Sequence, residues 1–139
     1  MKLDDFNLTD EDSSDELRTL IDQFNANTTP YPHDSTVHAE FFKRAAEMPH
    51  APAIVGATGE HTYQEVADQA HRIAHLLHAQ GLSPEGYVAV MSESAFDIVT
   101  ALIGILTAGG AYLPLESAQP ISRTVLRLKE TEARCLIGT

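Results

Sequence analysis

The chain has 139 residues, of which 43% are hydrophobic and 21% charged, a composition typical of a globular domain with one buried core rather than of a disordered chain. Twenty acidic side chains against nine basic ones give a net charge of −11, which argues against a nucleic-acid binder or an anionic-membrane binder, because both depend on clustered Lys and Arg. The single cysteine, Cys135, excludes an internal disulfide and a cysteine-only metal site, and it favours a reducing, cytoplasmic setting.

The N-terminal region carries more than half of this charge. Residues 1–22 hold eight acidic side chains against Lys2 and Arg18, a net charge of −6. We expect residues 1–13 to form an acidic, flexible leader that acts as a solubilising terminus or as a docking segment. No secretory signal is visible in this stretch, and the longest apolar run, residues 96–106, is too short to span a bilayer.

A short helix and an extended linker are predicted over residues 14–34. Ser13 and Glu16 have the spacing of a capping box at the start of this helix. Four apolar residues follow at the spacing of one helical face: Leu17, Leu20, Ile21 and Phe24. Two prolines and the absence of any period in residues 25–34 indicate an extended linker rather than a second helix.

The α/β unit is predicted over residues 35–139, and it opens with a helix and a hairpin. The helix should begin at Ser35 or Thr36 and end before Pro49. Four residues should face inward: Val37, Phe41, Phe42 and Ala45. An apolar run at 53–55, turn chemistry at 56–60 and an extended pattern at 61–63 predict the hairpin.

A longer helix follows the hairpin. Thr62 and Glu65 have capping-box spacing, and the helix should extend to about Gln80 with Gly81 as its C-cap. Five residues are predicted to be buried: Val66, Ala70, Ile73, Ala74 and Leu77.

The rest of the chain alternates regularly between strand and helix. Strands are predicted at 87–91, 111–115 and 134–137, and helices at 94–107, where Ser94 and Asp97 form the cap, and at about 122–132. Short connections between such elements predict crossovers and a parallel sheet. The fold class is therefore α/β, an open and mainly parallel sheet flanked by helices, with an N-terminal helix and a small hairpin.

No catalytic site follows from the residues alone. Gly109 and Gly110 come after a helix and before a strand, whereas a phosphate loop needs the reverse order, and neither GxGxxG nor GxxxxGK[ST] occurs. Asp68, His71, His75 and His78 share one face of the long helix, so a metal site is an alternative to a solvated face. Cys135 in an apolar strand reads as an inert small hydrophobe. The carboxylates near strand and helix ends read as caps or solvated groups: Glu93, Asp97 and Glu116.

Two segments carry a family resemblance. Residues 61–66 (HTYQEV) resemble the LTYxEL segment of the adenylation domains of nonribosomal peptide synthetases, which are AMP-binding, adenylate-forming enzymes. Residues 106–116 (LTAGGAYLPLE) resemble their LKAGGAYVPLD segment, at the expected distance downstream. Residues 119–123 are similar to YPxxR, and residues 28–32 are similar to TxxYP. The resemblance covers about residues 17–139, and the departures from the family pattern are His61, Thr107, Glu116 and Gln119.

The resemblance implies activation of an amino acid with ATP, followed by loading of a phosphopantetheine thiol on a carrier domain. That step needs a Ser/Thr/Gly-rich phosphate loop with a lysine, an acidic residue for the ribose, a pocket aspartate for the amine and a catalytic lysine in a C-terminal lid. No segment of the 139 residues matches these parts, so we assign no catalytic, cofactor-binding or metal-binding residue. ATP and magnesium are implied only for the complete family domain.

The chain is thus interpreted as the N-terminal portion of an adenylation domain, without activity on its own. We expect an incomplete sheet edge or apolar face around residues 111–115 and 134–137. Its partner would be the remainder of an adenylation domain, another synthetase subunit or a second copy. Two alternatives are a non-enzymatic interaction protein that binds a synthetase, and a truncated fragment with no function of its own.

Overall fold

The computed structural model describes residues 11–27, 29–56 and 59–138, with the backbone alone at 11–14 and 16. The chain divides into two compact units, residues 1–34 and residues 35–139. Most of the predicted leader and Thr28 of the TxxYP match lie outside the described residues.

The described residues of the first unit include a helix, α1, at Glu11–Phe24. The predicted cap at Ser13 is wrong, because Ser13 lies inside the helix. The predicted apolar face is formed by exposed residues: Leu17, Leu20, Ile21 and Phe24.

The second unit contains four helices and five strands among its described residues. The helices are α2 at Val37–Glu47, α3 at Tyr63–Ala79, α4 at Ala95–Thr107 and α5 at Ile121–Glu130. The strands are β1 at Pro52–Gly56, β2 at Gly59–Thr62, β3 at Tyr87–Met91, β4 at Ala111–Pro114 and β5 at Cys135–Gly138.

The strands form two sheets. β1 and β2 make the antiparallel hairpin, whose register shifts between Pro52 and Ile54. β3, β4 and β5 form a parallel sheet in the order β4-β3-β5, in which Ala89 pairs with Leu113 on one side and Leu136 on the other. The predicted fold class is confirmed.

The core lies where α3 and α4 meet one face of the parallel sheet. Its buried residues are Ala74, Leu77, Val88, Val90, Ala101, Ile105 and Ala108. α4 contacts α2, α3 and strands of both sheets, as expected for a helix that is apolar almost all round. Gly104 of α4 allows the closest approach, since a Cβ atom there would lie 2.8 Å from the Ala70 carbonyl oxygen of α3.

α3 and α4 both end in a Schellman motif, in which a glycine follows the C-cap. After α3 the C-cap is Gln80 rather than the predicted Gly81, which follows it with φ of 75°. The Leu82 amide donates to the Leu77 carbonyl and the Gly81 amide to that of His78, which is a Schellman motif. The glycine is needed one position beyond the C-cap, because the left-handed conformation falls there.

Three further expectations need correction. Val37, the first residue of α2, is 74% exposed rather than facing inward. Ile73 is half-buried rather than buried, whereas Ala67 is buried in addition to the predicted set on α3. Tyr63 belongs to α3 and not to the second hairpin strand, because Thr62 is the N-cap and the helix begins at the next residue.

The outer strands β4 and β5 are open to solvent. Tyr112 on β4 and Leu136 on β5 are both exposed. None of the residues of α5 is fully buried among the described residues, and its exposed apolar side chains are Ile121, Val125 and Leu126. Large side chains on the outer strands are therefore left uncovered around residues 111–115 and 134–137, as the sequence predicts. No helix within the described ranges is both long enough and apolar enough to cross a bilayer.

Candidate functional site

The segment at residues 61–66 forms the start of α3. The Thr62 hydroxyl accepts a hydrogen bond from the Glu65 amide at 3.3 Å, and the Glu65 carboxylate accepts one from the Thr62 amide at 2.8 Å. The bond from the Thr62 backbone is the main cause that lowers the pKa of Glu65, since it favours the charged carboxylate. The predicted capping box is therefore present, and the role of this segment here is structural.

His61 gives this segment one further contact. Its ring stacks on Phe96 of α4 with the centroids 4.1 Å apart, and its Nδ1 lies 3.9 Å from the Glu65 carboxylate. An aromatic ring at position 61 thus links the hairpin to α4. Sequence reasoning noted His61 only as a departure from the family pattern, because a stacking partner 35 positions away leaves no local signal.

The segment at residues 106–116 joins the end of α4 to β4. Gly109 has φ of 77°, and the amides of Gly109 and Gly110 donate to the carbonyls of Leu106 and Ile105 in a second Schellman motif. The Gly109 carbonyl accepts from the Glu85 amide at 2.7 Å. A Cβ atom at position 110 would lie 2.9 Å from a Leu82 methyl group, so the second glycine permits close approach to the loop before β3. Both glycines serve the scaffold, as the order helix, glycine, strand predicts.

The predicted carboxylates occupy the carboxyl end of the parallel sheet. The Ser117 hydroxyl donates to Glu93 at 3.0 Å, which connects the loop after β3 to the loop after β4. The Ser92 hydroxyl donates to Asp97 at 3.3 Å, and the Ser94 hydroxyl caps α4 by accepting from the Asp97 amide. The structure brings Glu93 and Asp97 into loop and cap contacts, while Glu116 remains exposed.

The histidine face of α3 does not form a metal centre. The Asp68 carboxylate accepts a hydrogen bond from Nε2 of the Gln64 side chain at 2.8 Å, and His71 stacks on Phe42 of α2 with the ring centroids 4.3 Å apart. His75 and His78 are exposed. Within the described ranges, no group of three or more His, Cys, Asp and Glu side chains has an arrangement that could hold a metal ion. The metal alternative therefore has no structural support.

Cys135 lies on β5 opposite Val88, half-buried against the core. It is a packing residue of the sheet, as its apolar neighbours predict. A cavity of about 340 Å³ opens beside it at the amino ends of β3 and β5, lined in part by Tyr87 and Arg134.

A second cavity lies at the carboxyl ends of β3 and β5, and we call it the carboxyl-end cavity. It measures about 210 Å³, and residues from α3, α4, β3 and β5 line it. Sequence reasoning identified Asp97 but not Gln69 or Ser92 of this cavity, because they come from different elements with no common spacing.

Comparison with known proteins identifies the family. A model described as AMP-binding enzyme matches residues 41–139, more than two thirds of the chain. The chain therefore belongs to the AMP-binding enzyme family, and the resemblance to the adenylation domains of nonribosomal peptide synthetases is confirmed.

The similar proteins are synthetases of great length. The chain is 34% identical over 126 residues to bacitracin synthase 1 of Bacillus licheniformis, a match that covers 91% of the chain and 2% of that protein. It is 32% identical over 124 residues to tyrocidine synthase 3 of Brevibacillus parabrevis, with 89% and 2% covered. A crystal structure of the nonribosomal peptide synthetase FmoA3 with α-methyl-L-serine-AMP bound superposes with a TM-score of 0.78 at 33% identity, covering 88% of the chain and 14% of that protein. The chain thus spans about one fiftieth of the length of these two curated relatives.

Proposed function

We propose that these residues form the N-terminal scaffold of an adenylation domain that activates an amino acid with ATP in nonribosomal peptide synthesis. The observation that carries the proposal is the family match over residues 41–139, which includes both motif segments. In this chain those segments cap α3 and join α4 to β4. Their motif residues are thus explained by the construction of the sheet and its helices rather than by contact with a substrate.

Gly109 and Gly110 do not form a phosphate-binding loop. The turn with two glycines follows a helix C-terminus, where the carbonyl ends carry partial negative charge and repel a phosphate. No metal-binding group of three side chains forms in the part of the chain that the structure describes. We therefore derive no step of the activation reaction through this chain's own residues.

The remainder of an adenylation domain is the partner that we propose for the open surface. Leu136 on the outer strand β5 is 53% exposed, and Ile121, Val125 and Leu126 of α5 are exposed as well. An unpaired strand with an apolar side chain adds a further strand readily, and parallel sheets are covered on both faces in stable domains. Another synthetase subunit would also cover the exposed apolar side chains and pair with the outer strand.

An ATP–pyrophosphate exchange assay with a chimera tests this function. Residues 41–139 would replace the corresponding segment of an adenylation domain from bacitracin synthase 1, and exchange would be measured with that domain's own amino acid. We expect the chimera to retain exchange with unchanged amino-acid preference, because the grafted part supplies scaffold only. The purified 139-residue chain should show no exchange above a blank with any amino acid.

A matched control is the same chimera with Gly104→Val, which blocks the approach of α3 and α4 and should abolish exchange together with folding. A chimera that folds normally, as judged by circular dichroism, but shows no exchange would contradict the proposal. Exchange by the isolated chain would also contradict it.

The exposed apolar face of α1, which we call the α1 stripe, favours a second candidate function, a non-enzymatic protein that binds a synthetase. The stripe consists of Leu17, Leu20, Ile21 and Phe24. Leu20 and Phe24 on this stripe are exposed, and an amphipathic helix docks into apolar grooves of partner proteins. The test is a native pull-down with the Phe24→Asp variant, compared with Gln23→Asp, which adds the same charge outside the stripe. Selective loss of a synthetase module that already holds a complete adenylation domain would favour this candidate, and recovery of the complementary remainder of the domain would favour the first one.

A further inference from the structure

The carboxyl-end cavity has a composition that the scaffold function does not require. Apolar and polar side chains line it together. The apolar ones are Ile73, Val90 and Ile137, and the polar ones include Gln69, Ser92 and Asp97. A small recess with apolar walls and a few polar groups is the usual form of a small-molecule site.

The cavity lies at the carboxyl ends of two neighbouring strands. Val90 of β3 and Gly138 of β5 line it, and these two strands pair with each other. In open α/β sheets, ligands bind outside the carboxyl ends of the strands.

The charge of the cavity selects its ligand. Asp97 is an acid, and the described lining includes no Lys, Arg or His, so an anionic ligand would be repelled. The backbone of Asp97 is held firmly, because its amide donates to Ser94 and its carbonyl accepts from the buried Thr100 hydroxyl at 3.1 Å. The hydrogen bond from Ser92 to the carboxylate is long for a hydroxyl donor, 3.3 Å, so an ammonium group can replace it at little cost.

We propose that the carboxyl-end cavity binds the protonated amine of a small aliphatic molecule. The ammonium group donates to the Asp97 carboxylate and to the Gln69 side-chain carbonyl, while the Ser92 hydroxyl keeps the hydrogen bond that it accepts from the Ser94 amide at 3.1 Å. The alkyl part contacts Ile73 and Ile137. A volume of about 210 Å³ limits the ligand to a few carbon atoms. This inference concerns binding by the isolated chain and does not depend on the activation reaction.

Amide chemical-shift titration of the 139-residue chain with isobutylammonium chloride tests the proposal. We expect saturable shifts confined to the amides around Ser92, Asp97 and Gly138, with a Kd on the order of 1–10 mM for so small a ligand. The Asp97→Asn variant should weaken binding at least about tenfold, because it removes a charge-assisted hydrogen bond and keeps the side-chain shape. Asp68→Asn is the matched control on α3, and its Kd should stay within about twofold of the wild type, since Asp68 does not line this cavity.

Two ligand controls keep the test independent of how the variants fold. Isobutanol has the same alkyl group without the charge, and isobutyrate has the opposite charge, so both should bind the wild-type chain at least about tenfold more weakly. Shifts spread over the acidic surface, an equal Kd for isobutanol, or no saturation by isobutylammonium would overturn the proposal. Unchanged binding by a folded Asp97→Asn chain would overturn it as well.

Discussion

Gly104→Ala should destabilise the chain, although alanine is the better helix former. Gly104 lies in the middle of α4 and faces α3. A Cβ atom at this position would lie 2.8 Å from both the Ala70 carbonyl oxygen and the Ile73 Cβ atom. Neither neighbour is the far end of a flexible side chain, so the two helices have to move apart.

The magnitude follows from two opposing effects. Replacing glycine by alanine inside a helix stabilises it by about 1 kcal/mol through the lower conformational entropy of the unfolded chain. The overlap is well over half an ångström relative to ordinary van der Waals contact, and overpacking of this kind costs about 1–3 kcal/mol. Because the backbone oxygen of Ala70 cannot rotate away, we expect the upper part of that range and a net loss of about 1–2 kcal/mol in the free energy of unfolding.

Urea denaturation followed by circular dichroism measures this difference. The exposed position His75 on α3 supplies the matched control, since His75→Ala should be more stable than His75→Gly by about 1 kcal/mol from helix propensity alone. Gly104→Ser should resemble Gly104→Ala, and Gly104→Val should be worse than both. A Gly104→Ala chain that is as stable as the wild type, or more stable, would refute the close-packing argument.

Two further predictions concern a helix end and a helix start. Glu132 follows the C-cap of α5 with φ of 52°, a left-handed conformation that glycine adopts without strain. Glu132→Gly should therefore raise the free energy of unfolding by about 0.5–1 kcal/mol, measured by thermal denaturation. In the same experiment Glu130→Gly, inside the helix, should lower it by a similar amount. The Thr62 amide lowers the pKa of Glu65 in the folded chain, so the stabilisation by this carboxylate is complete above the unfolded-state pKa and is lost as the pH falls through the folded-state pKa. The melting-temperature advantage of the wild type over Glu65→Gln should therefore shrink between about pH 7 and about pH 3, and a constant difference would count against the capping bond.

Local elements were predictable where their signals lie within a few residues. The caps at Thr62 and Ser94 were recognised because a hydroxyl reaches the amide three positions later, which depends only on helix geometry. The start of α2 was predicted at Ser35 or Thr36, and Thr36 is the N-cap. The parallel sheet was predictable because short links between alternating strands and helices allow few other topologies. The cap at Ser13 was wrong because α1 already includes Ser13, and the spacing of one pair of residues does not decide where a helix begins.

The candidate site was predictable only in part. Asp97 was identified as a helix-capping acid, but its position on a cavity with Gln69 depends on how α3 packs against α4. The stacking of His71 on Phe42 likewise depends on the packing of α2 against α3. No periodicity reports such contacts, because each partner satisfies the local pattern of its own helix.

The sequence by itself determined the order and type of the elements, the glycine turns that end α3 and α4, and the family. Hydrophobic period, capping residues and turn glycines act over a few positions, so they can be read along the chain. Only the tertiary structure decided which side chains are buried, how closely α4 approaches α3 at Gly104, and that the carboxyl ends of β3 and β5 leave a small acidic cavity. These features arise from elements distant in the sequence that share one space, and packing in three dimensions sets their distances.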